Sequence, residues 1–374
     1  MNASMKERPS RRLIIPIFIA GNGCPHRCVF CRGASGGTDG PEIIPASIIE
    51  DTVRRYLSTA KPDRKDSVQI AFYGGNFTGL NIRTQESLLN LAGTFIERGV
   101  VHSLRVSTRP DGVDPGQIEI LKKGRVKTVE IGAQSMVEEV LKLSGRGHSA
   151  EDVRRAVTSL RAGGFETGVH LMAGLPGDSR KHFLFSVEEI IRLKPDMVRI
   201  HPTIVFSNTA LADAYISGRY RPLTIDEAVD ICGEALTRFE NAGIPVIRIG
   251  LQPDSDMERP GTVLGGPYHP AFRSLVEEKL FFETAMLLLA RLPEDYAEVI
   301  FHVSPGDISF FRGLRNGNLQ KIKERVNQVP VTVLADPAQK RGSLTLSSGG
   351  RLSRIERSVR SAGKLNPARV NEDV

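Results

Sequence analysis

Leu13-Ile-Ile-Pro-Ile-Phe-Ile-Ala20 runs through Gly21-Asn22-Gly23 into Cys24-Pro25-His26-Arg27-Cys28-Val29-Phe30-Cys31-Arg32-Gly33. An apolar run rich in β-branched residues empties into a glycine-bounded loop whose three thiols follow a C-x3-C-x2-C spacing. Basic residues before the run and a cysteine after it resemble a lipoprotein leader only superficially. The apolar stretch is eight residues long and contains Pro16, and Asn22 stands where such a leader needs a small residue. The run reads as a buried strand, and the chain as cytoplasmic.

Runs of the same character recur at Val68–Gly75, Leu104–Thr108, Thr128–Ala133, Glu166–Ala173 and Met197–Val205. Helical patterns fill the intervals at Ala46–Ser58, Thr84–Glu97, Pro115–Lys123, Ala150–Ala162 and Lys181–Leu193, and Ile225–Asn241 follows the sixth run. Gly99, Gly124, Gly163, Pro195 and Gly243 close most of them. Near-continuous apolar strands alternating with amphipathic helices predict βα units and a parallel sheet covered on both faces. Six units with right-handed crossovers curl into a partial (β/α)6 TIM-like barrel, α/β in class, over residues 13–243. Residues 244–335 read as a small α/β extension that opens with a strand at Val246–Leu251. Residues 336–374, rich in Ser, Gly and Arg, read as a flexible basic tail with at most one short helix.

The chain has 374 residues, 40% hydrophobic and 25% charged, which excludes a collagen-like or largely disordered protein. No uncharged apolar run approaches the roughly 18 residues of a membrane span. The net charge of +7 is unevenly placed. Residues 1–12 sum to +3 and residues 338–374 to +5, so the body between them is close to neutral at −1. A basic arm at 1–12 and a basic tail suit either a nucleic-acid partner or simple solubility.

Three readings of the cysteines compete. A structural zinc site wants four ligands in two knuckles, but His26 lies inside the first gap and Cys232 inside a helical pattern. Buried structural thiols rarely cluster in a glycine-rich loop. A 4Fe-4S cluster held by Cys24, Cys28 and Cys31 would leave one iron open to a chelating substrate. Cys232 reads as a buried helix residue.

This spacing after the first strand of a partial barrel resembles the radical S-adenosylmethionine (radical SAM) superfamily. The resemblance implies that Cys24, Cys28 and Cys31 hold the cluster and that S-adenosylmethionine chelates its fourth iron. Phe30 would lie beside the adenine. Gly74 and Gly75, in Tyr73-Gly74-Gly75-Asn76, stand at the superfamily's Gly-Gly-Glu motif, with Asn76 replacing Glu. Glycine there lets backbone approach the methionyl ammonium, and the Asn carbonyl accepts more weakly than a carboxylate. Arg109 would pair the methionyl carboxylate or form an ion pair on the rim. Gln134 would hydrogen-bond the cofactor, Gly174 would permit close approach, and Leu175 would pack on the adenine. These residues all sit at strand C-terminal ends, where α/β barrels place chemistry. His170 and His201 sit at barrel strand ends and read as cavity residues; they and His148 have no assigned role, and no catalytic residue is named.

A narrower resemblance is to the radical SAM half of the Elongator catalytic subunit and its small bacterial relatives. It rests on Thr108-Arg-Pro-Asp111, Glu130-Ile-Gly-Ala-Gln-Ser135, Gly145-Arg-Gly-His-Ser149, His170-Leu-Met-Ala-Gly-Leu-Pro176, Ile200-His-Pro-Thr203 and Arg248-Ile-Gly-Leu-Gln252, in that order. The first cysteine gap is shorter here, and after residue 335 no β-rich segment is expected that could build that family's acetyltransferase domain. The resemblance implies a single-cluster enzyme that cleaves S-adenosylmethionine reductively, served by a flavodoxin or ferredoxin-type reductant. RNA or tRNA is the suggested substrate, and no membrane is involved. The alternative is a non-catalytic Fe-S protein that binds nucleic acid or regulates. Too few cysteines remain for a second cluster.

Overall fold

Strand alternation sends Leu13, Ile15 and Ile17 to a helix-covered face and Ile14, Pro16 and Phe18 to the other, and this pattern organises the barrel. The computed structural model describes residues 12–19, 24–32, 44–60, 67–251, 257–292, 296–327 and 329–356. The first six strands, in chain order, are β1 (Leu13–Phe18), β2 (Val68–Tyr73), β3 (Ser103–Thr108), β4 (Val126–Gln134), β5 (Glu166–Ala173) and β6 (Met197–Pro202). A two-residue strand, β7 (Val205–Phe206), leaves this sheet, and β8 (Val246–Ile249) returns to it. The order is β1-β2-β3-β4-β5-β6-β8, parallel throughout, with β1 and β8 as open edges.

The connecting helices are α1 (Ala46–Thr59), α2 (Ile82–Glu97), α3 (Pro115–Lys123), α4 (Glu138–Leu143), α5 (Ala150–Ala162), α6 (Arg180–Leu193), α7 (Ala210–Ile216) and α8 (Ile225–Asn241). Side chains satisfy the first free N–H groups of several. Ser149 with Asp152 and Thr224 with Glu227 form capping boxes on α5 and α8. Two apolar cores lie between sheet and helices, one around Ile15, Ile70, Phe72 and Leu104, the other around Val169, Leu171, Phe183 and Phe239.

Two domain boundaries differ from the sequence reading. Val246–Ile249, expected in the extension, is the seventh barrel strand and pairs with β6 through Arg199–Arg248 and Ile200–Ile249. The barrel therefore runs past residue 243. The second correction concerns residues 336–356, expected as tail. After β9 (Val263–Gly265), which pairs with β7, come α9 (Phe272–Leu289), β10 (Val299–Val303), α10 (Ile308–Arg312), α11 (Gly317–Arg325), β11 (Val331–Ala335), β12 (Ser343–Ser348) and β13 (Arg351–Glu356). The last four strands form one sheet in the order β11-β10-β12-β13. Leu344 and Leu346 alternate inward from β12, and Gly349-Gly350, both at positive φ, turn the chain into β13. Helix α9 joins the two units. Phe272, Val276 and Leu280 belong to a barrel core, and Phe281, Ala285 and Leu288 to the core of the small sheet. Most of the basic arm (residues 1–11), Gly33 and the end of the tail (357–374) lie outside the described residues. Among the described residues no helix is long and apolar enough to cross a membrane.

Candidate functional site

The cysteine loop sits on the strand C-terminal end of the barrel and is tied down by backbone. Val29 N–H donates to Ser144 O at 3.1 Å, and Val29 O accepts from Leu211 N–H at 2.8 Å. Phe30 packs into a small cluster with Val205, Leu211 and Tyr220. Cys24 and Cys31 are exposed and Cys28 is half-buried, whereas Cys232 is a core residue of α8 whose burial drives its thiol pKa far up. Burial and the neighbouring Cys28 and Cys31 thiols raise the Cys24 thiol, opposed by the Arg109 and Arg146 cations.

The floor under this loop is Gly145-Arg146-Gly147. A Cβ on Gly145, at φ +64, would stand 2.8 Å from the Arg27 carbonyl oxygen, and one on Gly147 would enter the His26 ring. Arg146 Nη1 donates to Cys28 Sγ at 3.1 Å and Nη2 to Gly132 O at 2.5 Å. Arg146 therefore couples the loop to β4 and places a guanidinium against the Cys28 sulfur. Arg109 Nη2 donates to the Arg146 carbonyl at 2.5 Å, and its guanidinium pairs with Asp111 at 2.8 and 2.9 Å. The rim ion pair expected for Arg109 is formed with Asp111, and its Nη1 is buried with no partner among the described residues.

The other strand ends show which groups face a ligand and which serve the fold. Gly74 turns at φ +84 and is exposed, beside half-buried Gly75. Asn76 is buried. Its Oδ1, expected to meet the methionyl ammonium, instead accepts from Thr108 Oγ1 at 2.7 Å and from Arg109 N–H at 3.1 Å. Gln134, at φ +68 beside an irregularity in the β4–β5 register, has a buried Oε1 with no partner. The space beside Gly174 is filled by Leu223, 2.8 Å from where a Cβ would stand, and its carbonyl accepts from Tyr220 Oη at 2.6 Å. That glycine therefore makes room for protein rather than for a cofactor. Leu175 is buried. Asp178 accepts from Gly174 N–H at 2.9 Å, and burial lifts its carboxyl to about 6 despite that bond. His148 meets Ala133 O at 3.2 Å, and burial with Arg146 and Arg109 lowers its pKa to about 3, so it is neutral at physiological pH.

Around the cysteine loop, Gln134 Oε1, Arg109 Nη1, Arg146 Nε and His148 Nδ1 are all buried without partners among the described residues. Such groups are costly unless a ligand meets them, so the mouth fits a polar cofactor. Among the described residues no three Cys, His, Asp or Glu side chains converge on a single metal ion. A cube of four irons and four sulfides holds its thiolates at separate corners, so it requires no such convergence. The donor set, three thiols on one loop with a guanidinium against the central one, suits that group.

Deeper in the barrel, strands β2 to β6 bring polar residues to the lumen face, among them Tyr73, Arg105, Glu130, His170 and Arg199. Glu130 is fully buried. It accepts from Tyr73 Oη at 2.9 Å and Arg199 Nη2 at 3.0 Å, and also contacts Arg105 and His170. Burial opposes its ionisation, but His170, Arg199 and Arg105 together hold its carboxyl far below the usual range. Burial and that carboxylate push the Tyr73 phenol up to about 12.

This fold is that of the radical SAM superfamily, to which the chain belongs. The model described as Radical SAM superfamily matches residues 18–190, and the Radical_SAM C-terminal domain matches residues 195–281. Among curated relatives, a tRNA uridine(34) acetyltransferase of Methanocaldococcus jannaschii is 27% identical over 274 residues, covering 62% of this chain and 50% of that one. Elongator complex protein 3 of Saccharomyces cerevisiae is 24% identical over 191 residues, covering 46% and 34%. The chain thus spans half or less of the length of these two relatives. The solved structure of archaeal Methanocaldococcus infernus Elp3, lacking residues 1–46, superimposes with a TM-score of 0.55 at 21% identity, over 72% of this chain and 63% of that one. That likeness is one of fold.

Sequence reasoning named the cysteines, the strand ends and a cavity position for His170, but missed Arg146, Tyr220 and the lumen partners of His170. A signal for Arg146 was present: an arginine between two glycines leaves its side chain the only anchor in a segment that backbone must approach closely.

Proposed function

We propose that the protein holds one 4Fe-4S cluster on Cys24, Cys28 and Cys31, binds S-adenosylmethionine across the barrel mouth, and begins radical chemistry on a tRNA. Bound together, the two groups supply a one-electron reductive cleavage that yields methionine and a hydrogen-abstracting 5'-deoxyadenosyl radical. The observation that carries this reading is the Arg146 guanidinium on Cys28 Sγ within a mouth of partnerless buried polar atoms.

Each residue then has a physical task. Arg146 stabilises thiolate charge and fixes the loop to β4. Gln134 Oε1 accepts from a cofactor donor, and Arg109 Nη1 donates to an acceptor such as its carboxylate. Gly74 and Gly75 present backbone to the methionyl end, and Phe30 is a flat wall for the adenine. Asn76 acts indirectly by fixing the Thr108–Arg109 backbone. Gly174 shapes the rim through Leu223 and Tyr220, and the buried Leu175 beside it is an apolar surface for the adenine. A flavodoxin or ferredoxin-type protein provides the electron. The tRNA assignment is supported by what the relatives act on and by the basic termini, whose lysines and arginines suit phosphate contacts.

Titration with tRNA at two salt concentrations tests the substrate. Affinity should fall steeply with salt, and removal of residues 357–374 should flatten the slope. Equal, background-level binding by both chains contradicts the tRNA assignment.

A further inference from the structure

We propose that residues 312–325, in the small unit that follows the barrel, form a surface that contacts the phosphates of an RNA substrate. The segment carries five cations, Arg312, Arg315, Lys321, Lys323 and Arg325, against one acid, Glu324, a sum of +4. All five cations are exposed. Among the described residues none of them makes an ion pair or a side-chain hydrogen bond, and Lys321 lies over the Phe282 ring, its Nζ 5.6 Å from the centroid. The barrel helices treat surface arginines differently. Arg154 and Arg155 on α5, Arg192 on α6 and Arg238 on α8 each meet a carboxylate. Solubility is served by a surface of mixed sign, and those helices have one. Segment 312–325 keeps its cations unneutralised, which is what a polyanion needs.

Helix stability does not account for these charges. Lys323 and Arg325 in the last turn of α11 suit the negative end of its dipole, but Arg315 stands just before the positive end, where a cation is disfavoured. Arg315 also lies at φ +52, a left-handed conformation that glycine takes at less cost. The turn that carries it is nonetheless held firmly. Leu314 N–H donates to Glu278 Oε2 at 3.1 Å, and Asn318 Nδ2 donates to Glu278 O at 2.9 Å. Glu278, the acid bonded to this turn, is therefore engaged by main chain. A strained arginine on a fixed turn is preorganised for an anion. A protein partner would call for an apolar centre with aromatic anchors. Among the described residues of the segment, Leu314 is the one exposed large apolar side chain, so the surface fits nucleic acid better.

The inference rests on the tRNA reading and adds a surface to it. Binding of the full-length chain to fluorescently labelled tRNA is followed by anisotropy across a salt series. Arg315→Gln, Lys323→Gln and Arg325→Gln combined should weaken binding about tenfold or more at low salt. The same variant should flatten the slope of log affinity against log salt by about 2–3, as for three lost phosphate contacts. Arg154→Gln, Arg155→Gln and Arg192→Gln combined remove equal charge where it is already paired, and should bind within about twofold of the unaltered chain. Arg315→Gly alone relieves the left-handed arginine, so it should keep or raise Tm while weakening binding severalfold. Unchanged affinity in the first triple variant, or an equal loss in both triple variants, overturns the surface and leaves the tRNA reading standing. Absence of salt-dependent binding by the unaltered chain overturns both. Formation of 5'-deoxyadenosine reports separately on the radical chemistry.

Discussion

Gly145→Ala should release the cysteine loop while leaving the barrel folded. The position sits at φ +64, and an added Cβ would come 2.8 Å from the Arg27 carbonyl oxygen, closer than such contacts occur. The left-handed conformation costs an L-residue about 1–2 kcal/mol. The backbone overlap adds about 1–3 kcal/mol, because the neighbour is main chain and cannot rotate away. Together these cost about 2–5 kcal/mol, and the second part falls on the loop that carries Cys24 and Cys28. Gly243→Ala is the matched control. It has φ +72 and nothing within 4 Å of its Cβ, so it bears the conformational cost alone, about 1–2 kcal/mol. Urea unfolding reports the global cost, and anaerobic iron and sulfide counts report the cluster. Gly145→Ala should lose most of its iron, and Gly243→Ala should keep it. Equal iron in the two variants would refute the claim that Gly145 seats the loop.

Glu130→Gln leaves Arg105 and Arg199 facing a neutral group in a buried site, so it should destabilise the barrel by about 3–5 kcal/mol in urea. A loss under about 1 kcal/mol would show the lumen to be well hydrated. Glu166 accepts from Thr128 at 2.9 Å and from Arg12 at 2.5 and 2.8 Å, which pulls its carboxyl down against the effect of burial. A depressed carboxylate stabilises above its unfolded pKa and loses that contribution as pH falls through the folded one. With the pair partly exposed, Arg12→Ala should cost on the order of 1 kcal/mol at about pH 6 and nearly nothing at the acid end of the transition, as followed by urea unfolding. A cost independent of pH would contradict the pairing. Arg146→Met removes the Cys28 and Gly132 contacts together and should reduce iron content at unchanged secondary structure, measured by iron assay and circular dichroism.

The cysteine loop and the six-strand frame were legible because apolar runs, helical periods and Gly or Pro stops agreed along residues 13–243. The seventh strand was not assigned to the barrel because Val246–Ile249 is only four residues long, lies between Pro245 and Gly250, and spends one position on Arg248. The β12–β13 hairpin was masked by its serines and arginines, although Leu344-Thr345-Leu346 before Gly349-Gly350 carries the period of a strand and its turn. The lumen network was illegible for another reason. Gln69, Arg105, Glu130, His170 and Arg199 stand on five different strands, among other polar residues such as Ser103, Thr128 and Glu166, and only the register of those strands brings them to one face. Asn76 and Gly174 were placed correctly at strand ends. Their local partners, Thr108 and Leu223, come from distant segments that no spacing rule links to them.

A cluster that cleaves its cofactor is the central claim. Protein reconstituted anaerobically with iron and sulfide is mixed with S-adenosylmethionine and dithionite, and the products are separated by liquid chromatography. The expected result is about four irons per chain, with methionine and 5'-deoxyadenosine in equal amounts. Both products should vanish in Cys24→Ala, Cys28→Ala and Cys31→Ala and persist in Cys232→Ala. A fully loaded four-iron protein that leaves S-adenosylmethionine intact, or product formation that survives loss of any of the three loop cysteines, would contradict the claim.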